Sequence, residues 1–85
     1  MFHLNDDFTF RDVGGRVVLL DNDSGYYYSL NETGTLIFRG IINNSSMDKI
    51  RDMIVDKYSI SEEEARNDID SFISELTKEN ILKRN

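Results

Sequence analysis

The stretch Ser24-Gly25-Tyr26-Tyr27-Tyr28-Ser29-Leu30-Asn31-Glu32-Thr33-Gly34 is where the chain changes period. Up to Leu30, apolar side chains tend to alternate with polar ones, as in strands that bury one face. Beyond Asn31 they recur every three or four residues, as along one side of a helix. The three consecutive tyrosines suit a pleated, half-buried strand. Asn31 is suited to cap a helix, because its side-chain oxygen can accept one of the backbone N–H groups that the first turn leaves unpaired, and Glu32 favours the positive end of the helix dipole. A β half followed by an α half is the architecture this junction predicts.

Toward the N-terminus, Asn22-Asp23-Ser24-Gly25 reads as a turn built from side chains that bond their own backbone. Before it lie Arg16-Val17-Val18-Leu19-Leu20-Asp21 and Phe8-Thr9-Phe10-Arg11, joined through Gly14-Gly15, which can adopt the positive φ of a tight hairpin. This pattern predicts three antiparallel strands in a meander. Toward the C-terminus, Leu36, Ile37, Ile41 and Ile42 mark a first helix that Gly34 and Gly40 weaken. Ser46 caps a second helix with Met47, Ile50, Met53, Ile54 and Tyr58 along one stripe. Ser61-Glu62-Glu63-Glu64 fits a capping box opening a third, whose apolar face is Ala65, Ile69, Phe72, Ile73 and Leu76. Asn80 stops it, Ile81-Leu82 is briefly apolar, and Lys83-Arg84-Asn85 reads as a frayed tail. The predicted fold is α+β and winged-helix-like, a three-stranded antiparallel sheet followed by three helices, as a single domain over residues 1–85.

Composition narrows the function. The 85 residues carry ten Lys plus Arg against sixteen Asp plus Glu, a formal charge of −6, with no Cys and no Pro. So short a chain buries only about 60% of its unfolded surface, which argues against a deep enclosed pocket. Lack of Cys removes disulfides, thiolate metal sites and cysteine nucleophiles, and suits a reducing cytoplasm. The longest apolar run, Val17-Val18-Leu19-Leu20, is far short of the roughly 18 residues a bilayer span needs, so no membrane partner is expected. His3 stands alone near a terminus that reads as mobile. Asp21, Asp23 and Glu32 fall at calcium-loop positions, but Gly25 and Tyr26 stand where such a loop needs an oxygen ligand and a glycine, so a plain turn is the better reading. The other carboxylates are interspersed with Lys and Arg and read as a solvated face. No catalytic residue, metal or cofactor is assigned, and a non-enzymatic protein is expected.

Helix, short turn, helix from Ser46 to Glu79 also suggests a helix-turn-helix. The alternative function is therefore a winged-helix DNA-binding transcription regulator. Its recognition helix would open on Glu62, Glu63 and Glu64 and drive carboxylates into phosphate, so nucleic acid is not expected as a partner. The tyrosine strand carries more weight. Alternation places Tyr26, Tyr28 and Leu30 on one face and Tyr27 and Ser29 on the other. As the third strand of a meander it can be an edge, with unpaired N–H and C=O groups onto which an extended peptide can add.

The same residues carry a resemblance. Leu19-Leu20-Asp21, then Ser24-Gly25-Tyr26-Tyr27-Tyr28-Ser29-Leu30-Asn31-Glu32-Thr33-Gly34 and Ile37-Phe38, are similar to the signature of PqqD-like proteins, and Asp68-Ile69, Phe72, Leu76 and Ile81-Leu82 resemble that family's C-terminal helix and tail. The resemblance implies a RiPP recognition element, a non-catalytic adaptor that binds the leader of a ribosomally made precursor peptide. Such an adaptor presents the leader to a modifying enzyme, such as a leader peptidase or a radical SAM enzyme. It implies a leader added beside the third strand, in a groove closed by the third helix. On this chain the peptide-binding residues would be Tyr26, Tyr27, Tyr28, Ser29 and Leu30, with Arg66, Ile69, Asp70 and Ile73 closing the groove, and with Tyr28 and Leu30 assigned to core packing. Asp68, Asp70 and the net charge would favour Lys or Arg in the leader. A stand-alone chain of this size resembles either the PQQ-pathway chaperone or the separate leader-binding component of lasso-peptide systems, and the lack of the longer Trp- and Pro-bearing beginning of the PQQ proteins favours other RiPP pathways, with the chain acting as a monomer or weak dimer.

Overall fold

The computed structural model describes residues 1–85 and orders the chain as β1 (Phe2–Leu4), β2 (Phe8–Val13), β3 (Arg16–Asp21), β4 (Tyr27–Ser29), α1 (Glu32–Ile42), α2 (Met47–Tyr58), α3 (Glu62–Lys78) and β5 (Leu82–Arg84). Strands β2, β3 and β4 form one antiparallel sheet in that order, so the expected meander and three subsequent helices are present. Gly14 and Gly15 take φ of 61° and 85°, the doubly positive pair that lets two residues join β2 to β3 in the register Val13↔Arg16. Asp21 folds the next turn, its carboxylate accepting from the Asp23 N–H at 3.0 Å and, more weakly, from the Ser24 N–H at 3.4 Å. Hydrogen bonding from Ser24 foremost, then from the Asp23 backbone, holds this carboxyl below its ordinary pKa.

Each helix opens on the residue expected to cap it. Asn31 accepts from the Gly34 N–H at 2.8 Å, Ser46 from the Lys49 N–H at 3.1 Å and Ser61 from the Glu64 N–H at 3.1 Å. Ser59 ends α2 in the left-handed region at φ 53°, and Asn80 comes after α3 at φ 60°. The core gathers Val17 and Leu19 from β3, Ile37, Phe38 and Ile41 from α1, Ile50 and Ile54 from α2, and Ala65, Ile69 and Leu76 from α3, with Ile81 and Leu82 beneath. Phe10 sets its ring edge-on to Phe38 at 5.1 Å, seating β2 on α1.

The chain termini depart from expectation. Lys83 and Arg84 are not frayed, nor is His3 loose, because β1 and β5 pair antiparallel with Phe2↔Arg84, His3↔Lys83 and Leu4↔Leu82. The ribbon is fastened at both ends. The Asn5 N–H donates to the Ile81 C=O at 2.8 Å, and the Asn85 N–H donates to the Met1 C=O at 3.2 Å. His3 Nδ1 lies 2.6 Å from Asn85 Oδ1. Buried Leu82 is the apolar anchor of this second sheet. The glycines of α1 also take a different role from the one their propensity suggests. A Cβ on Gly40 would stand 2.6 Å from Ile50 Cγ1, and one on Gly34 would stand 3.1 Å from Phe72 Cε1. They weaken an isolated helix, but here they let α2 and α3 approach α1 closely.

Candidate functional site

β4 is an edge of its sheet, and hydrogen-bond alternation decides which of its backbone groups are spent. The Asp21 N–H donates to the Tyr26 C=O and the Leu30 N–H donates to the Val17 C=O, both at 2.9 Å, while Tyr28 pairs with Leu19 between them. Residues 26, 28 and 30 therefore turn their backbone toward β3. Tyr27 and Ser29 turn theirs outward, where the chain offers no partner. The strand is short, and neither Pro, Lys nor a covering segment guards that edge.

The tyrosines divide as the pleat requires. Tyr28 shares the inner face with Leu19, keeps 38% of its surface and stands 6.4 Å from the Phe8 ring. Tyr27 is 74% exposed on the outer face, and Tyr26, just before the strand, is 71% exposed. Leu30 is half-buried against the core. Packing thus claims Leu30 and Tyr28 each only in part, and both also line the groove beside the strand.

Beside this edge runs a groove of about 500 Å³ between β4 and the C-terminal half of α3. Leu19, Tyr28, Ser29 and Leu30 line it from the sheet side and Phe72, Glu75, Leu76 and Glu79 from the helix side, with Ile81 also in its lining. A shallower depression continues it past Gly34, lined by Thr33, Asp68, Ser71, Phe72 and Glu75. Of the strand residues expected at the site, Tyr28, Ser29 and Leu30 line the groove and Tyr26 and Tyr27 do not, and the helix wall they meet is not made of the helix residues expected.

Arg66, Asp70 and Ile73 do not line the groove. Asp70 and Ile73 border a separate concavity with Phe2, Met47, Thr77 and Arg84, and Arg66 is exposed on that same side of α3. Ile69 is 4% exposed and belongs to the core. The cause is helix geometry. At about 100° per residue, Ile73, Arg66 and Asp70 stand on one shoulder of the buried Ala65-Ile69-Leu76 stripe, and Phe72, Glu79, Asp68 and Glu75 stand on the other. The second shoulder faces β4. The residues missed, Phe72, Glu75 and Glu79, carried a signal in the sequence, since Phe72 belongs to the apolar face and Glu75 and Glu79 flank it at helical spacing.

Two solved structures share this fold over nearly the whole chain. A lasso peptide synthetase B1 complexed with the leader peptide superposes with a TM-score of 0.89 at 24% sequence identity, covering 98% of this chain and 98% of that one. TbiB1 in complex with the TbiA(β) leader peptide gives a TM-score of 0.85 at 23% identity, covering 96% and 95%. No curated protein matches the sequence. The family described as coenzyme PQQ synthesis protein D (PqqD) matches residues 16–82, a span that takes in β3, the tyrosine strand, all three helices and Leu82, and the chain therefore belongs to the PqqD family.

Proposed function

We propose that this chain is a non-catalytic RiPP recognition element that binds the leader segment of a ribosomally synthesised precursor peptide and presents it to a modifying enzyme or leader peptidase. The carrying observation is the open edge of β4, with Tyr27 and Ser29 turning backbone donors and acceptors outward beside the α3 groove. An extended leader adds there as a fourth strand, its main chain supplying affinity and alternate side chains entering the groove. Family membership supports the reading. So does the likeness in fold to two proteins described in complex with leader peptides. The whole chain acts as one cytoplasmic domain without cofactor, and the site residues are Tyr27 to Leu30 of the strand with Phe72, Glu75, Leu76 and Glu79 of the helix.

The test is calorimetric titration of the chain with the leader of the precursor peptide encoded beside it, repeated with Ser29→Pro. The substitution removes an outward-facing N–H and leaves the bonds to β3 intact, a position where an edge strand tolerates proline. Saturable binding by the native chain and its loss in a Ser29→Pro variant with unchanged circular dichroism are expected. A folded native chain giving no heat would overturn the adaptor reading. Undiminished binding by Ser29→Pro would overturn strand addition.

A further inference from the structure

The helix wall of the groove carries an acidity that the fold does not use. Glu75 and Glu79 line the groove, and Asp68 lines its continuation with Glu75. No Lys or Arg lines either part. Ion pairs hold Asp12 to Arg39, Asp48, Asp52 and Glu62 to Arg51, and Glu32 to Lys57, and Asp68, Glu75 and Glu79 are among the acids that enter none. Their positions also oppose helix stability. Glu75 and Glu79 stand at the negative end of the α3 dipole, where cations are favoured, and like charges four residues apart repel. Glu79 caps α3 only through its backbone N–H, and neither core nor ion pair uses the two carboxylates.

Resting on the leader-binding reading above, we propose that Glu75 and Glu79 select a cation, so that the leader bound here carries a Lys or Arg side chain beside the apolar residues that fill the groove. Residues one helical turn apart have Cβ atoms about 5–6 Å from each other, close enough for one ammonium or guanidinium to bridge both carboxylates. The floor of Leu19, Leu30, Leu76 and Ile81 takes the apolar side chains, and the acidic rim fixes which neighbour must be basic. Affinity is set by the apolar contacts and the strand edge, and the rim sets the choice among leaders and the speed of encounter.

Panning a phage-displayed library of random dodecapeptides on the full chain, and in parallel on Glu75→Gln/Glu79→Gln, tests this. Peptides that bind the native chain and lose binding in Ser29→Pro are expected to be enriched in Lys and Arg, and the double variant is expected to lose that enrichment. One such peptide, monitored by fluorescence anisotropy, should bind the double variant about tenfold more weakly at low ionic strength, with the gap closing near 0.5 M salt, where the Debye length falls to about 4 Å. Ser29-dependent peptides without basic bias, bound equally by the double variant, would overturn the cation rim and leave the leader reading standing. Recovery of no Ser29-dependent peptide would overturn the groove reading and the rim with it.

Discussion

At the scale of single residues, Thr35 shows how the two halves of the chain are joined. It is the only buried residue with a polar side chain, and its hydroxyl accepts from the Val17 N–H at 3.1 Å. The Val17 C=O in turn accepts from the Leu30 N–H. Val17 thereby ties the end of the tyrosine strand to the first turn of α1, fixing the groove's floor relative to its helices. Replacing Thr35 by Val keeps the shape and removes the acceptor, leaving a buried N–H unpaired. The expected loss is about 1–3 kcal/mol, read as a lower urea midpoint at unchanged slope. Thr35→Ser, which keeps the oxygen, should lose less. This bond was not legible in the sequence, where Thr35 is an ordinary helix residue 18 positions from its partner. Gly40 is a similar case, since propensity reads it as a flaw and only the buried Ile50 side chain 2.6 Å from its missing Cβ explains it. Asn31, Ser46, Ser61 and Asn80 were legible because caps and stops act on their own backbone within four residues.

At the scale of elements, β2, β3, β4 and the three helices could be read from periodicity, but the face that α3 turns toward β4 could not. Periodicity identifies the buried Ala65-Ile69-Leu76 stripe. Each shoulder of that stripe then offers one large apolar residue, Phe72 or Ile73, among charged ones, and nothing local says which shoulder meets β4. The distinction can be measured. Phe72→Ala should weaken leader binding by about tenfold or more, through loss of an aromatic groove wall, while Asp70→Ala on the far shoulder stays within about twofold. The reverse order would return the site to the other shoulder. A second link between elements is pH-dependent. Lys57 near the end of α2 sits 3.2 Å from Glu32 at the start of α1, and hydrogen bonding and charge from Lys57 hold the Glu32 carboxyl below its ordinary pKa. A carboxyl depressed by folding adds stability above its unfolded pKa and loses it as the pH falls through the folded value. Glu32→Gln should therefore melt slightly below the native chain at neutral pH. The two melting temperatures should converge once the pH lies below both carboxyl pKa values. A gap that persists in acid would mean that the pair contributes nothing.

For the whole molecule, the feature that no local pattern announced is the ribbon that joins the two ends of the chain. Phe2-His3-Leu4 and Leu82-Lys83-Arg84 are each too short to alternate convincingly, and more than 75 residues separate the partners, so their pairing is visible only once the core has brought them together. The ribbon bears on the groove because it anchors the residues just beyond the end of α3. Ile81, which lines the groove, donates its N–H to the Leu76 C=O and accepts from the Asn5 N–H. Asn5 Nδ2 also donates to the Asn80 C=O at 2.8 Å. Removing residues 1–4 strips the half-buried Phe2 and Leu4 from the core's edge and uncovers Leu82, a loss of about 2 kcal/mol or more by area. Because Leu82, next to Ile81, then loses its pairing with Leu4, and Asn5, which bonds Ile81 and Asn80, becomes the free end of the chain, leader binding should weaken even at temperatures where circular dichroism shows the shortened chain still folded. Titrating the shortened and native chains with the same leader separates the two effects. If the shortened chain melts earlier but binds as tightly while folded, β1 stabilises the fold without shaping the groove. If affinity also falls, the ribbon at the chain ends is part of what forms the peptide site.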